Sequence, residues 1–218
     1  MVPPGHCVLR RSQEIVAFQP LLGHGSWYAG RSLLHRAIFA DNSADIRGRV
    51  LEIGDNAYTL RFGGAQVRQS DILHVDASNP RATFVGDLSR PNALPEAAFD
   101  CIVLTQTLQY LYDMRAAVAT LHGAMKLGGV LLLTAPGISQ LDPQWGHYWL
   151  LTPLAVRRLL EEQFSPDGLA VEAHGNIFAA TALLYGIAVE ELDRAELDMD
   201  DAVYPVTVAA RAVKANAG

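Results

Sequence analysis

Cysteine is nearly absent from this sequence. Cys7 and Cys101 are the only two in 218 residues, and neither lies in a Cys-x-x-Cys pair. That pattern suggests neither a disulfide framework nor a structural zinc site. Cys101 sits within the apolar run Cys101-Ile102-Val103-Leu104 and reads as a buried thiol. Long apolar runs are also missing: no stretch of about 18 apolar residues exists, so no membrane-spanning helix is predicted. The N-terminus carries Arg10, Arg11 and Glu14 where a secretory signal needs an apolar segment. A reducing cytoplasm is the expected location. Basic excess is lacking too, with 17 Lys and Arg against 23 Asp and Glu and a net charge of −6. Such a balance argues against a nucleic-acid backbone or a membrane as the main partner. The basic runs Arg10-Arg11 and Arg157-Arg158 are too short to change that. No internal repeat and no Pro/Ser-rich or charge-rich linker interrupts the chain.

What is present is apolar residue content of 50%, enough for one well-buried core. Residues 1–27 hold Pro3, Pro4, Gly5, Pro20, Gly23 and Gly25, and read as an irregular segment or a lid. Residues 28–218 read as a single domain. Leu33, Leu34, Ala37, Ile38 and Phe39 form a helix face. From Arg49 onward, short apolar runs alternate with helical patterns. Strands are predicted at Val50–Ile53, Asp71–Val75, Ala82–Val85, Asp100–Leu104 and Val130–Thr134. Their continuous apolar character suits strands buried on both faces of a parallel sheet.

Asp113 is placed to cap a helix carrying Ala117, Leu121 and Met125 on one stripe, with Gly128-Gly129 as its stop. Thr152-Pro153 opens a second helix, as N-cap and first residue, running to about Phe164. A strand near Leu169–Ala173, a helix from Phe178 to Leu192 and a last strand near Pro205–Val213 follow. This alternation implies a three-layer α/β sandwich.

The chemistry-bearing signals sit at strand ends, where open α/β sheets bind ligands. Val50-Leu51-Glu52-Ile53-Gly54-Asp55-Asn56 ends the first strand in an acid, an apolar residue and a glycine. Gly54 permits close backbone approach to a ligand. His74-Val75-Asp76-Ala77-Ser78 ends the second strand with an acid able to accept hydrogen bonds from ribose hydroxyls. Val85-Gly86-Asp87-Leu88 ends the third with a carboxylate suited to an exocyclic amine and a Leu suited to a ring face. Phe99-Asp100-Cys101-Ile102-Val103-Leu104-Thr105-Gln106-Thr107-Leu108 ends the fourth in polar residues. Met125-Lys126-Leu127-Gly128-Gly129 leads into the fifth.

In order and spacing, these five features resemble the class I S-adenosylmethionine-dependent methyltransferases, strongly over residues 46–135 and loosely beyond. Two stretches, Asp45–Asp55 and Leu104–Tyr110, are similar to bacterial methyltransferase-like proteins associated with glycosyltransferases or natural-product tailoring. The resemblance implies a Rossmann-like fold with a mostly parallel sheet of order 3-2-1-4-5-7-6, its last strand antiparallel. It implies S-adenosylmethionine as cofactor. Glu52, Gly54, Asp55 and Asn56 would shape the cofactor turn, Asp76 would hold the ribose, Asp87 and Leu88 the adenine. Gln106 would sit near the methionine part or the transferred methyl. The expected reaction is methyl transfer to a hydroxyl or amine of a sugar or another natural product. A homodimer or a glycosyltransferase partner remains open.

The sequence departs from the family pattern twice. Asn56 and Tyr58 occupy the later glycine positions of the first motif, so Tyr58 must swing away from the ligand or stack on it. Only about six residues separate the second and third strands, where a helical crossover takes a dozen or more. Either that helix is missing or the third strand is irregular.

On the acceptor side, Trp145-Gly146-His147-Tyr148-Trp149 follows the fifth strand. His147 is the first choice for a general base, being matched to proton removal near neutral pH. Tyr28, Tyr110, Trp145, Tyr148 and Trp149 are candidates to hold the acceptor, and Trp27 and Tyr28 also to close over the cofactor. Asp113 and His24 are weaker base candidates. A nicotinamide oxidoreductase shares the crevice, but Gly54-Asp55-Asn56-Ala57-Tyr58-Thr59 lacks the Gly-x-Gly-x-x-Gly fingerprint. The worn first motif also fits a non-catalytic or repurposed methyltransferase fold acting as a partner or scaffold.

Overall fold

The computed structural model describes residues 38–141, 146–187, 191–192, 194–197 and 199–215. Tyr28, Trp27, His24 and Trp145, with the 1–27 segment, lie outside the described residues. Seven strands form one sheet: β1 (Gly48–Ile53), β2 (Val67–His74), β3 (Phe84–Val85), β4 (Phe99–Thr105), β5 (Met125–Pro136), β6 (Leu169–His174) and β7 (Thr207–Val213). The strand order is β3-β2-β1-β4-β5-β7-β6. Strands β1 to β5 run parallel, and β7 is antiparallel to both β5 and β6. The order implied by the motif resemblance is therefore the observed one. All parallel strands end on one side of the sheet, which brings the turns after β1, β2, β3 and β4 together.

Successive side chains of a strand point to opposite faces, and here both faces are dry. Leu51, Ile102, Leu104, Leu131 and Leu133 pack on one face. They meet Ala117, Val118 and Leu121 of helix α1 (Met114–Ala124) and Val156, Leu159 and Leu160 of helix α2 (Pro153–Glu161). Val50, Cys101, Val103, Val130 and Leu132 pack on the other, against Phe39 and Ile46. Each fully buried Leu contributes roughly 2 kcal/mol. Cys101 has no exposed surface, and burial pushes its thiol pKa far up.

The helix starts carry the expected caps. The Asp113 carboxylate accepts the Ala116 N–H at 3.0 Å, and the Thr152 hydroxyl accepts that of Ala155 at 3.2 Å. Helix α3 (Ile177–Tyr185) is capped by Asn176, whose side-chain oxygen accepts the Ala179 N–H at 2.8 Å. A short helix α4 (Arg194–Leu197) lies before β7.

Several boundaries differ from the sequence reading, each for a local reason. Met125 is not the last residue of the helical stripe: α1 stops at Ala124 and Met125 opens β5 in extended conformation. Gly128-Gly129 accordingly lies within β5, next to a register irregularity against Phe99 and Cys101. Helix α3 stops at Tyr185 rather than Leu192 because Gly186 takes a left-handed φ of 68° and caps it. β2 begins at Val67, ahead of Asp71, through the polar residues Arg68, Gln69 and Ser70 that hid it. β7 begins at Thr207, since Pro205 has no N–H to give the ladder.

The short β2–β3 spacing has both expected consequences. No helix joins the strands, and β3 is only Phe84–Val85. The loop is tied down instead by Thr83, whose N–H donates to the Ile72 carbonyl at 2.9 Å while its hydroxyl accepts the Ile72 N–H at 2.9 Å.

Candidate cofactor crevice and acceptor cleft

The β1 turn is built around a buried acid and an open glycine. Glu52, 1% exposed, directs its carboxylate at the start of the short helical segment that follows. It accepts the Thr59 N–H at 2.7 Å and the Tyr58 N–H at 3.1 Å. These are donors that a helix start leaves without intrahelical partners. Burial pushes the Glu52 pKa up to about 7, against the hydrogen bonds from Thr59 and Tyr58, with the nearby Asp55 charge adding to the rise. Gly54 has φ +88°, and a Cβ there would meet nothing within 4 Å. The space beside the Gly54 backbone is thus free for a ligand, in a conformation that suits glycine alone.

The turn is pinned from three sides. The Gly54 N–H donates to the Leu73 carbonyl at 2.9 Å. The Asn79 side-chain amide donates to the Gly54 carbonyl at 2.7 Å. Asp55 accepts the Ala57 N–H at 2.8 Å, and the Asn56 amide donates to the Ser70 hydroxyl at 3.1 Å. Tyr58 swings away from the crevice, its ring 4.7 Å from that of Phe39 and stacked on Phe62 at 6.2 Å. The larger residues at the family's glycine positions are therefore absorbed by Ser70 and by the aromatic cluster.

Asp76 stands exposed at the end of β2. Its carboxylate accepts the Ser78 N–H at 2.9 Å and lies 3.1 Å from His74 Nδ1. The Ser78 hydrogen bonds, with the His74 ring, hold its pKa below the usual carboxylate range. Asp87, after β3, accepts the Ser89 N–H at 2.8 Å. Leu88 points into the main core and is 3% exposed. Gln106, at the β4 end, has φ +46° and donates its N–H to the Thr134 carbonyl at 2.9 Å.

Beside Asp87 opens a cleft of about 350 Å³. Its walls are Asp87, Ser89 and Arg90 from the β3 turn, Tyr110 to Asp113 from the β4 turn, and Tyr148. The structure thus brings four of the expected residues, Asp87, Tyr110, Asp113 and Tyr148, onto one cleft. His147 sits behind it, its ring edge-on to Tyr110 with centroids 4.7 Å apart. Trp149 donates its indole N–H to the Leu111 carbonyl at 3.0 Å, and its ring lies 6.0 Å from that of Tyr112. Tyr112 is also edge-on to Tyr148 at 5.4 Å.

Sequence reasoning passed over Asn79, Gln109 and Tyr112. The Asn79-Pro80 pair is a turn signal that marks the first. Nothing in the sequence points to Gln109, because its role depends on which carbonyl its amide meets. Among the described residues no helix is long and apolar enough to cross a membrane, and no group of three His, Cys, Asp or Glu is arranged to hold a metal.

Comparison with known proteins agrees with this fold. Residues 50–133 match the methyltransferase domain family. A Mycolicibacterium smegmatis protein named as a probable S-adenosylmethionine-dependent methyltransferase is 27% identical over 173 residues, 76% of this chain. The aligned part spans 60% of that relative's length. Among solved structures, a SAM-dependent methyltransferase from Archaeoglobus fulgidus superposes with a TM-score of 0.57 at 16% identity, over 91% of this chain and 99% of its own. The [4+2]-cyclase SpnF superposes with a TM-score of 0.52 at 15% identity, over 81% of this chain and 80% of its own. The fold is thus the Rossmann-like methyltransferase fold, and residues 50–133 are similar to the methyltransferase domain family.

Proposed function

We propose that this chain is an S-adenosylmethionine-dependent methyltransferase that methylates a hydroxyl or amine of a small molecule, a sugar or another natural product. The observation that carries this reading is the β1 turn: an open Gly54 at φ +88° above the buried Glu52. The ionised Asp76 stands on the next strand end. Backbone that only glycine tolerates, beside a carboxylate at ribose distance along the chain, fits a nucleoside cofactor. In this reading Gly54 and the backbone of Asp55 and Asn56 line the cofactor, with Glu52 fixing the turn from below. Asp76 accepts the ribose hydroxyls, Asp87 borders the adenine, and Gln106 borders the methionine part. When bound, the cofactor supplies a methyl group on a positively charged sulfur, already activated for in-line displacement.

The chain's own work is then alignment and exclusion of water. Tyr110, Tyr148 and Trp149, with Tyr28 and Trp145, orient the acceptor. His147, its ring oriented by Tyr110, takes the proton from the acceptor hydroxyl or amine. The resemblance of Asp45–Asp55 and Leu104–Tyr110 to glycosyltransferase-associated proteins is what supports a sugar. Residues 28–218 act in this reading as one domain in the cytoplasm, with no nucleic acid or membrane as partner. The test is transfer of isotope-labelled methyl from the cofactor to a panel of sugars and natural products bearing hydroxyl or amine groups. Label should enter an acceptor with the intact chain and fall strongly with His147→Asn; no transfer to any acceptor argues against the reading.

A second reading has its own support. Asn56 and Tyr58 replace glycines, and SpnF uses this fold as a cyclase. A repurposed or scaffolding protein, alone or beside a glycosyltransferase, would bind S-adenosylhomocysteine or no cofactor while transferring no methyl.

A further inference from the structure

We propose that Gln109 is a positioning residue that locks the cofactor-side turn after β4 and the acceptor-side loop of residues 146–150 into one unit. The functional half of this statement rests on the methyltransferase reading; the structural half does not. Gln109 has no exposed surface, an uncommon burial for this residue type. Its side-chain amide donates to the Gln106 carbonyl at 2.7 Å. The main-chain carbonyl of Gln109 accepts the Tyr148 N–H at 2.8 Å.

Gln106 needs such a hold. At φ +46° it carries a Cβ in left-handed backbone, which sterics disfavour and which persists only where the surroundings enforce it. The Thr134 carbonyl grips the Gln106 N–H at 2.9 Å, and Gln109 grips its carbonyl. Tyr110, the next residue, sets its ring against His147. A single helical turn, Leu108–Tyr110, thereby touches the candidate cofactor residue on one side and the candidate base and acceptor loop on the other. Displacing the Gln109 amide frees the Gln106 peptide and moves the platform on which Tyr148 and His147 rest.

The experiment is hydrogen exchange on the full chain with Gln109→Met, which keeps length and removes the donor. Protection of the Gln106 and Tyr148 amides is expected to fall together, by about tenfold for one lost hydrogen bond. The Ile102, Val103 and Leu104 amides should be unchanged. In a Gln106→Gly background the same substitution should have little effect on the turn, because glycine takes the left-handed φ unaided. Unchanged Tyr148 protection, or an equal loss throughout β4 and β5, overturns the coupling. In parallel, S-adenosylhomocysteine should bind Gln109→Met about tenfold more weakly than the intact chain. Equal binding overturns the functional half. If the intact chain itself binds none, the methyltransferase reading fails, and the exchange pattern still decides the coupling.

Discussion

Glu52 and Thr59 are joined by a 2.7 Å hydrogen bond from the Thr59 N–H to a carboxylate that is 1% exposed. A buried acid thus starts the helical segment after the β1 turn, and its pKa of about 7 lies above the unfolded value of 4.5. Between those values the folded chain keeps a proton that the unfolded chain has released. Its contribution to stability is complete below pH 4.5 and lost as pH rises through 7, a change on the order of 3 kcal/mol. Urea unfolding from pH 4.5 to 8 should show this loss, and Glu52→Gln should remove it. An identical pH dependence in both proteins would place the titration elsewhere.

Gly54→Ala separates strain from occupancy. A Cβ there meets no neighbour, so the fold loses only the cost of a left-handed Ala, about 1 kcal/mol. The methyl would intrude on the crevice, and cofactor affinity should fall more than about tenfold, over 1.4 kcal/mol. Calorimetry and thermal unfolding of the same sample read both effects.

Gly48→Ala provides the contrast. Gly48 has φ +69°, and a Cβ there would collide with the Asp100 carboxylate. That carboxylate accepts the Arg49 N–H at 2.7 Å and the Lys126 ammonium at 2.8 Å. Burial opposes its ionisation, but these two partners outweigh it and hold the pKa low. The substitution should cost about 2–4 kcal/mol by chemical unfolding, while cofactor affinity of the folded fraction stays unchanged.

Asn79→Ala tests the loop that replaces the missing helix. Its amide is the link from the β2–β3 loop to the Gly54 carbonyl, at 2.7 Å. Losing it should weaken cofactor binding about fivefold and cost about 1 kcal/mol of stability, measured by titration and unfolding.

The sheet order was legible through the resemblance to the class I methyltransferases that five strand-end motifs carry, not from the motifs alone. Spacing alone left either a missing β2–β3 helix or an irregular third strand, and the structure has both. Edges were harder. Val67–Ser70 hides a strand because polar side chains there face solvent, and Met125 continues the helical stripe of α1 while starting β5. At the candidate site, motif position singled out the strand-end residues Gly54, Asp76 and Asp87, and the structure sets all three at strand ends on one side of the sheet. Tyr58 left two outcomes open, which only the Phe39 and Phe62 rings decide. Leu88 reads as a ring-facing residue but is buried in the core. Gln109 and Asn79 escaped because a side-chain amide bonding a distant carbonyl leaves no pattern in sequence.

The central claim is that the crevice beside Gly54 and Asp76 holds S-adenosylmethionine. Calorimetric titration with S-adenosylmethionine and S-adenosylhomocysteine, with Asp76→Ala alongside, tests it most directly. The expected result is micromolar binding of both ligands, weakened at least about tenfold by the substitution through loss of charge-assisted hydrogen bonds. A well-folded chain that binds neither ligand, or binds them equally with and without the Asp76 carboxylate, would contradict the account.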